Sequence, residues 1–183
     1  TIISRCQHIQ FSALDKKVIE SMLAEKGVKQ DKIKWISCLS QGNFVNASKI
    51  AERDWDEIKN IFSFISDFML VNNHKKLIQF ASEYSRLSIM DETEFRFRFL
   101  LIQRWLLGVL HLKNAIQDDL TKSELNEGMN RFLSMYPKVD VLALNLLVES
   151  VGNGLNRNAH MSLLLTHFII QLQKELKQKP LYE

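Results

Sequence analysis

The hydrophobic positions of this chain recur at intervals of three and four residues over most of its length. Such spacing places apolar side chains along one face of an α-helix, whereas a half-buried strand alternates at every second residue. Only two prolines and six glycines interrupt the 183 residues, which favours long helices over turn-rich sheets. The pattern therefore predicts an all-α protein.

Residues 12–53 predict three short helices with narrow apolar stripes. A bundle of this size has marginal stability by itself, and we expect that contact with a neighbour stabilises it. Residues that cap, start or stop helices set its boundaries. In chain order they are an N-cap at Ser12, a stop at Gly27, a start at Asp31, and a further start at Gly42 with an N-cap at Asn43.

Residues 54–183 predict longer amphipathic helices. The sequence Asp91-Glu92-Thr93-Glu94 resembles a capping box and is expected to begin one that continues through Leu112. Residues 94–99 alternate charged and aromatic side chains, which also fits a strand or a nucleic-acid surface. The helical spacing continues beyond them and the arginines spread around the helix, so we favour a helix with solvated or ion-paired arginines.

The last two predicted helices differ in how completely they are apolar. The first runs from Val139 to Val151 and is expected to stop at residues 152–154, which contain two glycines. The second begins at residues 155–159, and from Met161 to Leu172 apolar residues occupy almost its whole circumference. Such a helix needs cover on more than one side, either wholly within its own bundle or partly from another subunit.

Charge and cysteine content narrow the classes of function. The 24 basic and 21 acidic residues give a formal net charge of +3 and are interspersed, which is not a nucleic-acid footprint. Cys6 and Cys38 form neither a metal-ligand spacing nor a disulfide framework, and the five histidines are scattered, so no metal site is expected. No apolar stretch is long enough to span a bilayer, so we expect a cytoplasmic protein without a membrane partner.

The first eleven residues predict the end of a different domain. Residues 1–3 are a β-branched apolar run typical of a buried strand, and no later segment predicts a partner strand. We therefore expect that a sheet precedes them. Arg5, between Ser4 and Cys6, carries a guanidinium suited to bidentate binding of phosphate or carboxylate, although an ordinary surface arginine is the alternative.

Taken in order, these segments resemble clamp-loader subunits, which are AAA+ proteins that open ring-shaped sliding clamps for replicative DNA polymerases. Ser4-Arg5-Cys6 resembles the motif that closes their ATPase domain. In that family the arginine acts in trans as an arginine finger on the ATP of the neighbouring subunit. The resemblance therefore implies a catalytic role for Arg5 only in the assembled complex, next to the neighbour's ATP and magnesium.

Residues 39–47 resemble the last helix of the clamp-loader lid, which Gly42 and Asn43 open. Nucleotide-using members carry the sensor-two arginine three positions after that glycine, where this chain has Val45. Valine cannot bind phosphate, and the sequence contains no glycine-rich phosphate loop. We therefore expect no catalysis and no cofactor in this fragment.

The start of the last helix and its closely spaced leucines resemble the collar domain, which joins clamp-loader subunits into a pentameric ring. The whole chain fits best with the noncatalytic delta-prime family of bacterial DNA polymerase III. Residues 1–11 would be an ATPase-domain remnant, 12–53 the lid and 54–183 the collar. The candidate interface residues are Asn156, Asn158, Leu164, Phe168 and Leu172.

This resemblance implies gamma/tau and delta subunits as direct partners, and the sliding clamp and primer-template DNA as partners through the complex. Two alternatives remain open. One is an ATP-hydrolysing gamma-type subunit whose lid tolerates the loss of the arginine, which the upstream sequence would decide. The other is a helical adaptor unrelated to replication that binds another protein through its final helix, which co-purification would decide.

Overall fold

The computed structural model describes residues 12–70, 74–117, 126–157 and 159–177. Within these residues the chain forms nine α-helices and no strand, which confirms the predicted all-α class. No helix in these ranges is long and apolar enough to cross a membrane. The strand predicted near the N-terminus lies outside the described residues. The helices are α1 (Lys16–Glu25), α2 (Gln30–Ser40), α3 (Phe44–Ala51), α4 (Trp55–Leu70), α5 (His74–Met90), α6 (Glu92–Lys113), α7 (Asn126–Met135), α8 (Val141–Asn156) and α9 (Met161–Lys177).

The chain divides into two compact units between Asp54 and Trp55. The first unit contains α1 to α3, which all pack against one another. Its core consists of aliphatic side chains at helical spacing, although α1 buries Ile19 and not Val18, which is exposed. The core residues are Ile19, Leu23, Ile33, Ile36, Leu39, Ala47 and Ile50.

Local signals fix the ends of α1. Gly27 has φ +77°, its N–H donates to Ala24 O at 2.9 Å, and Val28 N–H donates to Leu23 O at 3.1 Å, which is a Schellman motif. The predicted N-cap at Ser12 is wrong, because Asp15 takes that role and its Oδ1 accepts from Lys17 N–H at 2.8 Å. A carboxylate at this position also interacts favourably with the positive end of the helix dipole.

The second unit is built around α6. Residues on every side of this helix are buried, including Phe95, Leu101 and Trp105, and α4, α5, α7 and α8 all pack against it. The predicted cap is confirmed, since Asp91 Oδ1 accepts from Glu94 N–H at 2.9 Å. The helix that is covered on all sides is therefore α6, whereas the sequence pattern had suggested α9.

Helix α9 lies on the far side of a four-helix arrangement. Helices α5 and α8 each pack against both α6 and α9. The α6 and α9 helices meet between them, where the rings of Phe99 and Phe168 make an edge-to-face contact at 6.3 Å. It follows that α5 and α8 occupy opposite sides of the α6–α9 pair.

The connection between α8 and α9 differs from the predicted one. Helix α8 continues through Gly152 and Gly154 to Asn156, and α9 begins only at Met161. Gly154 is buried, and a side chain there would overlap the Leu164 side chain. The second glycine therefore permits close packing of two helices, and it does not end the first of them.

Candidate protein-interaction site

Four of the predicted site residues are not among the residues that the structure describes. Ser4, Arg5 and Cys6 lie outside the described ranges, and so does Asn158 of the predicted collar segment. Their roles therefore stay predictions. The remaining candidates lie in α3, at its start, and in the α8–α9 hairpin.

The Gly42-Asn43 pair opens α3 as predicted. Gly42 has φ +73° and its carbonyl accepts from Leu14 N–H at 2.9 Å; a Cβ at this position would lie 2.6 Å from Leu14 O. Only glycine avoids both the steric overlap and the strain of a positive φ. Asn43 Oδ1 accepts from Asn46 N–H at 3.1 Å, so its role as N-cap is confirmed.

Val45 lies in the first turn of α3 and its side chain is exposed. This is the position at which the clamp-loader resemblance implies a lost arginine. The valine adds no charge and no hydrogen-bond donor to the helix start. It therefore leaves an apolar side chain on the surface of the first unit.

Two predicted interface residues belong instead to the core of the second unit. Phe168 is 1 % exposed and Leu172 is 2 % exposed, and the Phe168 ring packs against Phe99. A side chain that has almost no accessible surface in the subunit cannot add contact area to an interface. The assignment of Phe168 and Leu172 as interface candidates is corrected on this ground.

Two further candidates make contacts within the unit. Leu164 is half-buried and packs against Gly154. Asn156 Oδ1 accepts a hydrogen bond from Arg96 Nη2 at 2.8 Å, and the same guanidinium pairs with Glu92 at 2.7 Å. Asn156 therefore ties the end of α8 to the beginning of α6, although its side chain remains exposed.

The exposed apolar residues of the hairpin form what we call the α8–α9 surface. It comprises Leu142 and Leu146 of α8 and Leu163 and Ile170 of α9, whose side chains are between 48 % and 68 % exposed. None of the four was among the predicted interface residues. On α9, Leu163 and Ile170 are seven residues apart and lie opposite Phe168 and Leu172, so helical phase identifies them once the buried face is known.

The geometry of the hairpin places Leu146 and Ile170 at similar positions along the two helix axes. Helices joined by so short a connection pack antiparallel, and Gly154 lies against Leu164. Leu146 is eight residues before Gly154 and Ile170 is six residues after Leu164, which corresponds to roughly 12 Å and 9 Å along the two axes. Leu146 and Ile170 therefore lie within one turn of each other along the hairpin.

Charged residues flank the α8–α9 surface. Lys174 and Lys177 lie in the last turn of α9, where the helix dipole favours cations. Together with Ile170 and Gln173 they line a shallow depression of about 460 Å³. Glu149 is the single charged residue of α8. The surface thus combines large aliphatic side chains with a few charges at its edge, a composition typical of protein interfaces.

The basic residues of α6 are engaged within the unit. Arg96 and Arg98 pair with Glu92 and Glu94, four residues earlier on the same helix, at 2.7 Å and 2.6 Å. Arg104 is buried. These contacts agree with the prediction that this segment is a helix with ion-paired arginines. The three arginines do not form a continuous basic stripe along α6.

Within the described ranges no group of three or more His, Cys, Asp or Glu side chains is placed to hold a metal ion. Comparison of the chain with protein-family models, with curated proteins and with solved structures found no match.

Proposed function

We propose that this chain is the lid and collar part of a clamp-loader subunit, and that its second unit joins the subunit to a heteropentameric ring. Among such subunits, the noncatalytic delta-prime subunit of bacterial DNA polymerase III accounts best for the sequence. It combines the Ser4-Arg5-Cys6 motif with Val45 in place of the sensor-two arginine.

The observation that carries this proposal is the α8–α9 surface. The second unit completes its own core, with Trp105, Phe132 and Phe168 fully buried, yet four large aliphatic side chains of one hairpin remain exposed. Apolar side chains that cluster on a surface, unlike those that are scattered singly, mark interaction sites. Covering four half-exposed aliphatic side chains would contribute roughly 3–6 kcal/mol to association before ordering costs.

In the proposed complex, this chain would bind no nucleotide itself. Arg5 would reach the ATP and magnesium bound by an adjacent gamma/tau subunit and stabilise charge on the transferring phosphoryl group. The gamma/tau and delta subunits would be the direct partners. The sliding clamp and primer-template DNA would be bound through the complex. The collar would hold the subunit in its place in the ring.

Assembly of the full-length protein with purified gamma/tau and delta subunits tests the proposal. Leu146→Asp and Ile170→Asp place a charge on the α8–α9 surface and should weaken assembly by at least about tenfold, a loss of about 1.4 kcal/mol. Met135→Asp is the matched control, because Met135 is also exposed but lies on α7. Size-exclusion chromatography with light scattering measures the complex.

Three outcomes would contradict the proposal or favour one of the two alternatives. Equal assembly by Ile170→Asp and Met135→Asp would remove the α8–α9 surface from the interface. Failure of the wild-type protein to join either partner would favour an adaptor unrelated to replication. Tight binding of ATP by the isolated full-length protein would favour the gamma-type alternative.

A further inference from the structure

The last turn of α8 contains a pair of residues with covalent chemistry of its own, Asn153-Gly154. Among the asparagines of the chain, Asn153 is the one that a glycine follows. Glycine has no side chain to shield its backbone nitrogen, and it adopts a wide range of φ and ψ angles. An asparagine amide that precedes glycine is therefore the one most open to attack by the next backbone nitrogen, which is the first step of deamidation.

The surroundings of the two residues differ. The side chain of Asn153 is exposed to water, whereas Gly154 is buried where the Leu164 side chain packs on it. The Gly154 carbonyl accepts from Arg157 N–H at 3.1 Å and from Ala159 N–H at 3.0 Å. The peptide unit that would react therefore lies where α8 is joined to α9 by side-chain packing and by two backbone hydrogen bonds.

Helical geometry keeps the two reacting groups apart. Within α8 the Gly154 N–H points along the helix axis toward the carbonyl four residues earlier, while the Asn153 side chain points outward. The nitrogen can reach Asn153 Cγ only when the last turn of α8 unwinds. The contact between Leu164 and Gly154 opposes this unwinding, because it joins α8 to α9. Local opening of the hairpin therefore controls the reaction.

We propose that Asn153 is a deamidation site whose rate is set by opening of the α8–α9 hairpin. Hydroxide removes the amide proton of Gly154, and the nitrogen then attacks Asn153 Cγ. A Cγ–N bond forms, the Cγ–Nδ2 bond breaks, and ammonia leaves after taking a proton from water, which restores the hydroxide. Water then adds to one of the two carbonyls of the succinimide ring. Opening of the ring gives aspartate when the new bond breaks and isoaspartate when the original peptide bond breaks.

Both products place a carboxylate on the α8–α9 surface. Asn153 is seven residues after Leu146 and eleven after Leu142, so the three residues lie on the same side of α8. The new carboxylate would lie four residues after Glu149, in the last turn of the helix. Repulsion between like charges and the negative end of the helix dipole both oppose it there. Deamidation would therefore weaken the end of α8 and charge an apolar surface, whatever partner covers that surface.

Deamidation kinetics of the full-length protein test the proposal, with peptide mapping by mass spectrometry at mildly alkaline pH. In guanidinium chloride, which unfolds the hairpin, Asn153 should react faster than Asn60 and Asn130, because isoleucine and arginine follow those two. In the native protein Asn153 should react measurably, but at least about tenfold more slowly than in the unfolded chain. Asn153→Gln should abolish the reaction at this position.

Two neighbouring leucines of α9 provide a matched pair of variants. Leu164→Ala removes the side chain that packs on Gly154 and should accelerate deamidation of the native protein by roughly three- to tenfold. Leu163→Ala changes an exposed position and should leave the rate unchanged. In guanidinium chloride both variants should react like the wild type, because no hairpin remains to be opened.

Hydrogen exchange measures the effect of the product on α8. Asn153→Asp reproduces the aspartate product and should accelerate amide exchange in the last turn of α8 by roughly two- to fivefold at low ionic strength. Asn153→Gln adds no charge and should exchange like the wild type. Equal exchange in the two variants would show that the new carboxylate does not weaken this turn.

Three further results would overturn the proposal. Equal rates in the native and the unfolded chain would mean that α8 does not protect Asn153. Equal acceleration by Leu163→Ala and Leu164→Ala would mean that opening of the hairpin does not set the rate. No reaction at Asn153 in the native protein, or a faster reaction at Asn130 in the unfolded chain, would mean that Asn153 is not a deamidation site. None of these results bears on the proposed function, because the measurements use no partner.

Discussion

Tyr84 links the stability of the second unit to pH through one hydroxyl group. Its side chain is buried, its ring stacks on Phe80 with centroids 4.1 Å apart, and its Oη makes no hydrogen bond of ordinary geometry among the described residues, although the Arg98 guanidinium lies beside the ring. Burial raises the pKa of Tyr84 above its usual value, and nearby Arg98 opposes the rise. The folded state therefore retains the neutral hydroxyl.

We predict that this contribution to stability is fully present below about pH 10 and is lost as pH rises through the higher pKa of the folded state. Tyr84→Phe should therefore reduce the fall in unfolding free energy above about pH 10. At neutral pH it should be neutral or stabilising by up to about 1 kcal/mol, because it removes an unpaired buried hydroxyl. Urea unfolding at neutral and alkaline pH measures both effects.

Tyr136 provides a second tyrosine with which to compare the effect of Tyr84. Burial also raises the pKa of Tyr136, so Tyr136→Phe should reduce the alkaline fall by a separate amount. An alkaline fall in Tyr84→Phe as steep as in the wild-type protein would show that the Tyr84 hydroxyl is not buried in solution.

At the scale of helices, the contact between α4 and α7 depends on a glycine. A Cβ at Gly128 would overlap the side chain of Ser66, whose Oγ accepts from Trp105 Nε1 at 2.9 Å and donates to Phe62 O at 3.0 Å. The serine is thus held between a buried tryptophan and its own helix. Any side chain at Gly128 must push the two helices apart.

We predict that Gly128→Ala destabilises the protein by about 1–3 kcal/mol, since overpacking forces helices or side chains to shift. Gly152→Ala is the matched control, because Gly152 lies within α8 and a Cβ there would meet no atom within 4 Å. It should stabilise the protein by about 0.5–1 kcal/mol through helix propensity. Thermal unfolding compares them, and equal effects would contradict the described packing.

The two faces of α9 give a second comparison between helix positions. Phe168→Asp would bury a carboxylate in an aromatic core and should unfold the second unit or cost more than about 4 kcal/mol. Ile170→Asp changes an exposed position and should alter stability by no more than about 0.5 kcal/mol. Urea unfolding of the two variants measures this difference. Similar losses in both would mean that α9 is covered on both faces.

The helices themselves could be predicted from sequence because local signals determine them. Gly27, Asn43 and Asp91 act at their helix ends as expected, since each role depends only on neighbouring backbone groups. Which helix lies at the centre could not be predicted. The residues of α6 and α9 are both strongly apolar, and only the packing of the other helices shows that α6 is covered on all sides.

The candidate site was predicted less well than the fold for the same reason. The sequence placed candidate contacts on α9 at Phe168 and Leu172, which its own bundle buries. Burial depends on which face of a helix the neighbouring helices cover, and periodicity alone does not identify that face. The exposed residues Leu163 and Ile170 became evident only from the packed structure.

At the scale of the whole molecule, the clamp-loader proposal predicts that Arg5 acts only in the complex. Arg5→Ala in the full-length protein should reduce ATP hydrolysis at the adjacent gamma/tau site by on the order of a thousandfold, with assembly unchanged. Arg5→Lys keeps the charge but loses the planar fork and should also be impaired. Single-turnover ATP hydrolysis by the reconstituted complex measures this effect, and an unchanged rate would refute the arginine-finger role.

The central claim is that this chain provides one subunit of a heteropentameric ring. Native mass spectrometry of the full-length protein mixed with gamma/tau and delta subunits tests that claim most directly, because it counts the copies of each chain. We predict a five-subunit complex that contains a single copy of this protein, and its loss in the Leu146→Asp and Ile170→Asp double variant. A protein that remains outside the complex, or that enters it in several copies, would contradict the account.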